Sequence, residues 1–155
     1  MKRKVLFIIA ILLIVSSVSA FSWAIGGSFS LDPIGTDMPV GAMLSAKFDQ
    51  FPFLLGLGVS GSSGSFNLGV TADWHFVREN LTGILNYYIG AGAYLGIGTD
   101  TFELGARIPV ALYIFPIDNL ELFLEIAPAL GMDLSPFYFP RWHLQGAFGF
   151  RFWFN

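Results

Sequence analysis

The chain has 155 residues, no Cys, eight Lys and Arg against eleven Asp and Glu, 54% hydrophobic and 17% aromatic residues, and a mean hydropathy of +0.64. Without Cys there is no disulfide, thiolate zinc site, thiol catalysis or lipid-modified cysteine, and no cofactor or metal is expected. Three of the eight cations, Lys2, Arg3 and Lys4, open the chain; the five left against eleven acids make a formal charge of minus six, which argues against a nucleic-acid partner.

Residues 1–20 read as a secretory signal peptide. The cationic start is followed by an apolar run from Val5 to Val15 and by Val18-Ser19-Ala20, which fits the small-residue cleavage rule. The run falls short of the ~20 residues that a spanning helix needs. Residues 21–155 then form one domain, too apolar for most soluble folds, yet with no stretch of about 18 apolar residues free of Gly, Pro or charge. Because only helices and closed barrels cross a bilayer, a barrel is the expectation.

The strands follow from period-two alternation. Trp23, Ile25, Gly27 and Phe29 alternate with Ala24, Gly26, Ser28 and Ser30 up to Asp32-Pro33. Val40 to Phe48 sets Val40, Ala42, Leu44, Ala46 and Phe48 against Gly41, Met43, Ser45 and Lys47, and Asp49-Gln50 with Pro52 turns the chain. Phe53, Leu55, Leu57 and Val59 point outward in a third strand, and Ser60 to Ser65 reads as a flexible loop. The fourth strand places Phe66, Leu68, Val70, Ala72, Trp74 and Phe76 outward and Asn67, Gly69, Thr71, Asp73 and His75 inward, with a turn expected at Arg78-Glu79-Asn80. Asn80-Leu81-Thr82 matches a glycosylation acceptor, set aside in a bacterial setting.

In the fifth strand Gly90, Gly92, Gly96 and Gly98 share the inward face with Tyr88 and Tyr94. Small inward residues let a narrow barrel close around its filling. The sixth strand, after Thr99-Asp100, has Glu103, Gly105, Arg107, Ala111 and Tyr113 inward; Pro116 to Asn119 is a tight turn. Glu121, Phe123, Glu125, Ala127 and Ala129 face inward in the seventh. Pro109 and Pro128 fall inside these two strands, where bulges are expected, or a place near the rim for Pro128. A loop from Met132 to Arg141 leads to the last strand, Trp142 to Phe154, whose one face carries Trp142, Leu144, Gly146, Phe148, Phe150, Phe152 and Phe154 and whose other carries His143, Gln145, Ala147, Gly149, Arg151 and Trp153.

The expected fold is therefore all-β: a transmembrane, antiparallel, up-and-down barrel of eight strands, with large apolar residues toward lipid and small or polar ones inside. With the N-terminus in the periplasm, the turns at Asp49, Glu79 and Asp118 are periplasmic, and the segments near Asp32, Ser62, Asp100 and Ser135 face outside. Strand parity turns Lys47, Asp73, Glu103, Arg107, Glu121, Glu125 and Arg151 all inward, as a lumen charge network. Pairing of Arg107 and Arg151 with Glu121 and Glu125 is expected, since an unpaired buried charge costs several kcal/mol. Trp74, Phe76, Tyr87, Trp142, Phe152 and Phe154 read as interface girdles. Ser135-Pro-Phe-Tyr-Phe-Pro140 places Phe137, Tyr138 and Phe139 between two prolines, a candidate contact surface for lipid or for a surface partner.

In Gly105-Ala-Arg-Ile-Pro-Val110, Leu122-Phe-Leu-Glu-Ile-Ala-Pro128 and Gly146-Ala-Phe-Gly-Phe-Arg-Phe152, and in its overall strand pattern, residues 21–155 resemble the small eight-stranded outer-membrane proteins of the OmpA-barrel, OmpX and OmpW type. The resemblance implies a bacterial outer-membrane location, outer-membrane lipid as surroundings, and a monomer. It also implies that Phe150, Phe152 and Phe154 form the C-terminal signal read by the barrel-assembly machinery. A structural or surface-interaction role with a closed or nearly closed polar lumen is the leading expectation. A narrow channel or transporter for small solutes, with the same charges along its path, is the alternative. A lipid-modifying barrel enzyme comes third: Asp133, Ser135 and His143 are the residue types of a nucleophilic triad, but no barrel-lipase motif surrounds them.

Overall fold

The computed structural model describes residues 22–32, 40–62, 65–99 and 101–154. The signal peptide expected at 1–20 lies outside them. The described residues form nine strand segments: β1 (Trp23–Leu31), β2 (Val40–Phe48), β3 (Phe53–Ser62), β4 (Ser65–Thr82), β5 (Leu85–Gly98), β6 (Phe102–Arg107), β7 (Val110–Ile117), β8 (Leu120–Leu134) and β9 (Phe137–Phe154). Each pairs antiparallel with its neighbours, and β1 pairs with β9, so the sheet closes on itself. No helix among the described residues is long and apolar enough to cross a membrane. The wall is made of strands alone.

Nine segments make a ring of eight because β6 and β7 are one strand interrupted at Ile108-Pro109. The pairing register runs straight through the gap: Arg107 faces Ala129 and Gly92, and Val110 faces Ile126 and Ile89. No residue is inserted, so the expected bulge at Pro109 is replaced by a local loss of ladder. Pro128 stays in register within β8, opposite Leu144 of β9, with neither a bulge nor a rim position. Its carbonyl accepts the Ile108 N–H at 3.0 Å, and the Pro109 carbonyl accepts that of Gly90 at 2.8 Å. The two residues that lack a donor thus sit side by side across the β6/β7–β8 seam. Each missing bond falls in the same short stretch of wall instead of weakening two separate ones.

Three connections differ from the sequence expectation. Strands β3 and β4 extend to Ser62 and from Ser65, which pair, so most of the expected 60–65 loop is ladder. The turn placed at 78–80 lies instead at Gly83-Ile84, with Gly83 at φ 54°, a left-handed conformation that Gly adopts at no steric cost. A register shift between His75 and Val77 leaves Phe76 as the extra residue and turns Arg78 toward Tyr88. Finally, residues 132–141 are not a loop: β8 runs to Leu134, β9 starts at Phe137, and Ser135-Pro136 alone makes the turn.

The resulting β4–β5 and β8–β9 hairpins are longer than the ~9–11 residues that cross a bilayer, so they project from opposite ends. One end carries both termini of the barrel and the turns at 49–52, 83–84 and 118–119; it is called the terminal end below, and the other the far end. Outward residues along the wall are apolar and exposed, as with Leu124 at 57% and Ile126 at 53%, while their neighbours Glu121 and Phe123 are buried inside. Trp74, Phe76, Trp142, Phe152 and Phe154 stand on this outer surface, with Trp23 and Phe154 stacked at 4.6 Å at the terminal end. An apolar belt of this extent is stable only in contact with lipid.

Candidate functional site

The interior is the part of the molecule where polar groups converge, and it is divided along its axis. Eight strands enclose a space just wide enough for side chains to fill. Toward the terminal end they fill it. Lys47 of β2 reaches across the lumen to both carboxylate oxygens of Glu121 on β8, at 3.1 Å each. Arg151 of β9, directly opposite Glu121 in the ladder, donates to the same carboxylate at 2.6 Å and to the Ser45 hydroxyl at 3.0 Å. The Trp153 indole N–H adds a third kind of donor at 2.9 Å. Side chains of Lys47, Glu121 and Arg151 are at most 2% exposed.

Aromatic rings close the remaining space. The Arg151 guanidinium lies 3.6 Å from the centroid of Phe123, and the Lys47 ammonium sits 5.1 Å and 4.8 Å from the rings of Tyr88 and Tyr113. Ring faces attract cations, so two positive charges facing one carboxylate are partly balanced by the rings.

A second cluster lies at mid-height. Arg107 donates to Glu125 through Nη2 and to Gln145 Oε1 at 2.8 Å, and its Nε lies 3.2 Å from Asp73 Oδ1. The Tyr88 hydroxyl donates to Glu125 as well. His75 stacks on Tyr88 at 4.0 Å between ring centroids, and neither of its ring nitrogens has a hydrogen-bond partner among the described residues. Space for this crowd comes from glycine. A Cβ on Gly92 would lie 2.0 Å from Asp73 Oδ1, and one on Gly90 would meet the His75 ring at 2.9 Å.

At the far end a third group lines one side of the mouth. His143 joins Asp32 through Nδ1 and Glu103 through Nε2, the latter at 2.8 Å; the Tyr94 hydroxyl donates to Glu103. Arg141 binds Asp133 at 2.6 Å. The triad types named above are therefore not assembled. His143 takes Asp32 and Glu103, Asp133 takes Arg141, and Ser135 is exposed in the turn without a hydrogen bond to His143 among the described residues.

All seven inward charges thus point into the lumen, but in three clusters: Lys47, Glu121 and Arg151; Arg107, Asp73 and Glu125; and Glu103. Strand parity does not single out Asp32, His143, Tyr88, Tyr94, Gln145 or Trp153 as members, although all but Asp32 are on inward positions of their strands. Phe150, Phe152 and Phe154 lie outward on β9, and Phe137, Tyr138 and Phe139 are exposed at the far end, Phe137 at 74%. Between the second and third clusters lies a cavity of about 510 Å³, lined by Arg107, Glu125, Gln145 and the inner faces of β3, β4 and β5. Charge, cavity and closure all belong to the lumen.

No family model matches the sequence, and no curated protein matches it. Comparison of structures finds Neisserial surface protein A at 13% identity and a TM-score of 0.50, over 86% of this chain and 97% of that one. A major outer membrane protein from Thermus thermophilus matches at 12% identity and a TM-score of 0.51, over 86% and 99%. A de novo designed transmembrane β-barrel matches at 16% and 0.50, over 86% and 95%. At such identities the likeness is one of fold, and a designed barrel shares it. By architecture the chain is an eight-stranded transmembrane β-barrel of the kind found in the outer membrane.

Proposed function

We propose that the chain is a monomeric barrel of the bacterial outer membrane with a structural or surface-interaction role, and that its lumen does not conduct. The single observation that supports this reading is the buried cluster of Lys47, Glu121 and Arg151, packed on Phe123, Tyr88 and Tyr113 toward the terminal end. Two cations on one carboxylate, each held by further hydrogen bonds or rings, form a plug from opposite walls. An ion would have to break them apart to pass, and breaking a buried pair costs several kcal/mol. With both termini on the periplasmic side, as in single-chain barrels with an even strand number, the plug sits at the periplasmic end and the cavity opens outward.

The reading is of a non-enzymatic barrel: among the described residues His143 is taken up by Asp32 and Glu103, and Asp133 by Arg141, away from Ser135. In the same reading, the outward Phe150, Phe152 and Phe154 of the closing strand are the surface that the assembly machinery engages. Planar-bilayer recording of the purified barrel tests the main point. Silence is the expected result; steady unitary currents from the wild-type protein would favour the channel reading instead.

A further inference from the structure

We propose that the far-end cavity is a binding site for a neutral, hydroxyl-rich molecule of sugar size. The volume of about 510 Å³ falls within the ~300–1,000 Å³ of small-molecule pockets. Its floor is the Arg107–Glu125–Gln145 cluster, so it is a blind cup and not a passage. Arg107 is only 5% exposed yet lines this cup, held by Asp73 at 3.2 Å, by Gln145 and by Glu125.

The chemistry of the lining selects the ligand class. Its carboxylates already have cationic or hydrogen-bonding partners: Glu125 has Arg107, Glu103 has His143 and Tyr94, and Asp32 has His143. A lone anion entering the cup would meet only cations already held by carboxylates and would lose its hydration. Asp32 and Glu103 share one imidazole, and Asp73 and Glu125 share one guanidinium, so acceptor oxygens are in excess and a hydroxyl can donate to them. Apart from Arg141, which is held by Asp133, and apolar residues such as Met43, the remaining lining offers neutral donors and acceptors: Ser30, Ser60, Asn67, Thr71, Thr101 and the amide of Gln145. Groups that both donate and accept match hydroxyls, which do the same.

The shape points the same way. Gly58 of β3, Gly69 of β4 and Gly96 of β5 are direct partners in one cross-strand row, so three adjacent strands present bare backbone to the cup. Elsewhere in the lumen glycine makes room for a side chain: the Tyr94 ring lies 2.4 Å from where a Gly105 Cβ would be, and its hydroxyl 2.2 Å from that of Gly131. Gly69 and Gly96 make room for nothing the protein supplies. Their nearest neighbours to an added Cβ are 4.0 Å and 3.6 Å away. Since interior strand glycine is destabilising, a flat wall with free space before it fits a ring lying against the backbone.

The test uses the refolded full barrel, isotope-labelled, in phosphatidylcholine nanodiscs. Glucose, galactose and trehalose are titrated while the amide signals of Gly69 and Gly96 are followed, with choline chloride and sodium acetate as ionic controls. A second arm replaces part of the lipid by lipopolysaccharide, to distinguish a free sugar from the carbohydrate of a glycolipid. Saturable shifts with a Kd of about 1 mM or tighter are expected in at least one arm. Gly69→Leu and Gly96→Leu, whose added Cβ meets nothing nearer than 4.0 Å and 3.6 Å, should weaken the response about ten-fold or more while the rest of the spectrum stays native. No saturable shift in either arm, or equal shifts with choline or acetate, overturns the proposal, as does a response that both Leu variants leave intact.

Discussion

The two halves of the lumen are walled by the same strands with the same inward parity, yet one is packed solid and the other is open. Toward the terminal end, long side chains approach from opposite walls: Lys47 from β2 meets Glu121 from β8 and Arg151 from β9. Toward the far end, the long residues Tyr94, Glu103, Arg141 and His143 come from the neighbouring side of the ring, β5, β6 and β9, and β3, β4 and the outer part of β5 face them with a row of glycine. The total length of inward side chains therefore does not decide whether a narrow barrel is filled. Their distribution around the circumference does. Where large residues are on one side only, they pair with each other along the wall and leave the axis empty.

The largest expected effect contrasts the two ends on the outside of β9. Phe154→Asp puts a charge on the closing strand where Phe154 stacks on Trp23, and it should prevent barrel formation while export continues. Loss of the heat-modifiable gel band together with periplasmic accumulation is the readout. Phe137→Ser at the other end of the same strand should assemble normally. Equal assembly of the two variants would remove the distinction between the ends.

Inside the plug, Glu121→Ala leaves Lys47 and Arg151 facing each other without an anion, and should destabilise the barrel by about 3–5 kcal/mol, measured as urea unfolding in lipid. Arg151→Ala belongs on the same scale but costs less, because Lys47 still covers Glu121. The double variant should fall short of the sum of the two single losses. If Arg151→Ala leaves stability unchanged and opens a steady conductance, the plug is a wet path and the filled half is filled only in appearance.

Much of this contrast was hidden in the one-dimensional pattern. Alternation was enough to place the strands and their inward faces, because lipid outside and a polar lumen inside impose period two on every strand. It erred where that period breaks. The polar run Arg78-Glu79-Asn80 looks like a turn, but it belongs to a hairpin that projects beyond the bilayer and continues to Gly83. Met132 to Arg141 looks like a loop because its prolines and exposed aromatics suspend the alternation, although the ladder persists to Leu134 and resumes at Phe137. The cavity was illegible for another reason. Gly92 beneath Asp73 and Gly69 before open space are the same letter on the same face, and only the positions of side chains from other strands separate them.

That difference gives the next prediction. Gly92→Ala forces Asp73 away from Arg107, and overpacking of this kind costs about 1–3 kcal/mol. Gly69→Ala, whose new methyl meets nothing nearer than 4.0 Å, should stay within about 0.5 kcal/mol of the parent in the same unfolding assay. Similar losses for both would mean that the open half is as tightly packed as the filled one.

The smallest effect lies at the far rim, where Phe137, Tyr138 and Phe139 stand exposed on the β8–β9 hairpin just beyond the cavity. Their backbone is already tied down, since Asp133 pairs with Tyr138 and Leu134 with Phe137, so slow amide exchange alone would say nothing about the rings. Aromatic side chains at the edge of an apolar belt are favoured in the headgroup region, and there they would hold the hairpin against the outer leaflet. The comparison that isolates this is wild type against the triple Ser variant in nanodiscs, because both keep the ladder and differ only in the rings. Residues 133–139 should exchange several-fold more slowly in the wild type, on the order of 1 kcal/mol of local stability, with global unfolding unchanged. Identical exchange would leave the rings without a membrane role, and the hairpin would then extend the wall without anchoring it.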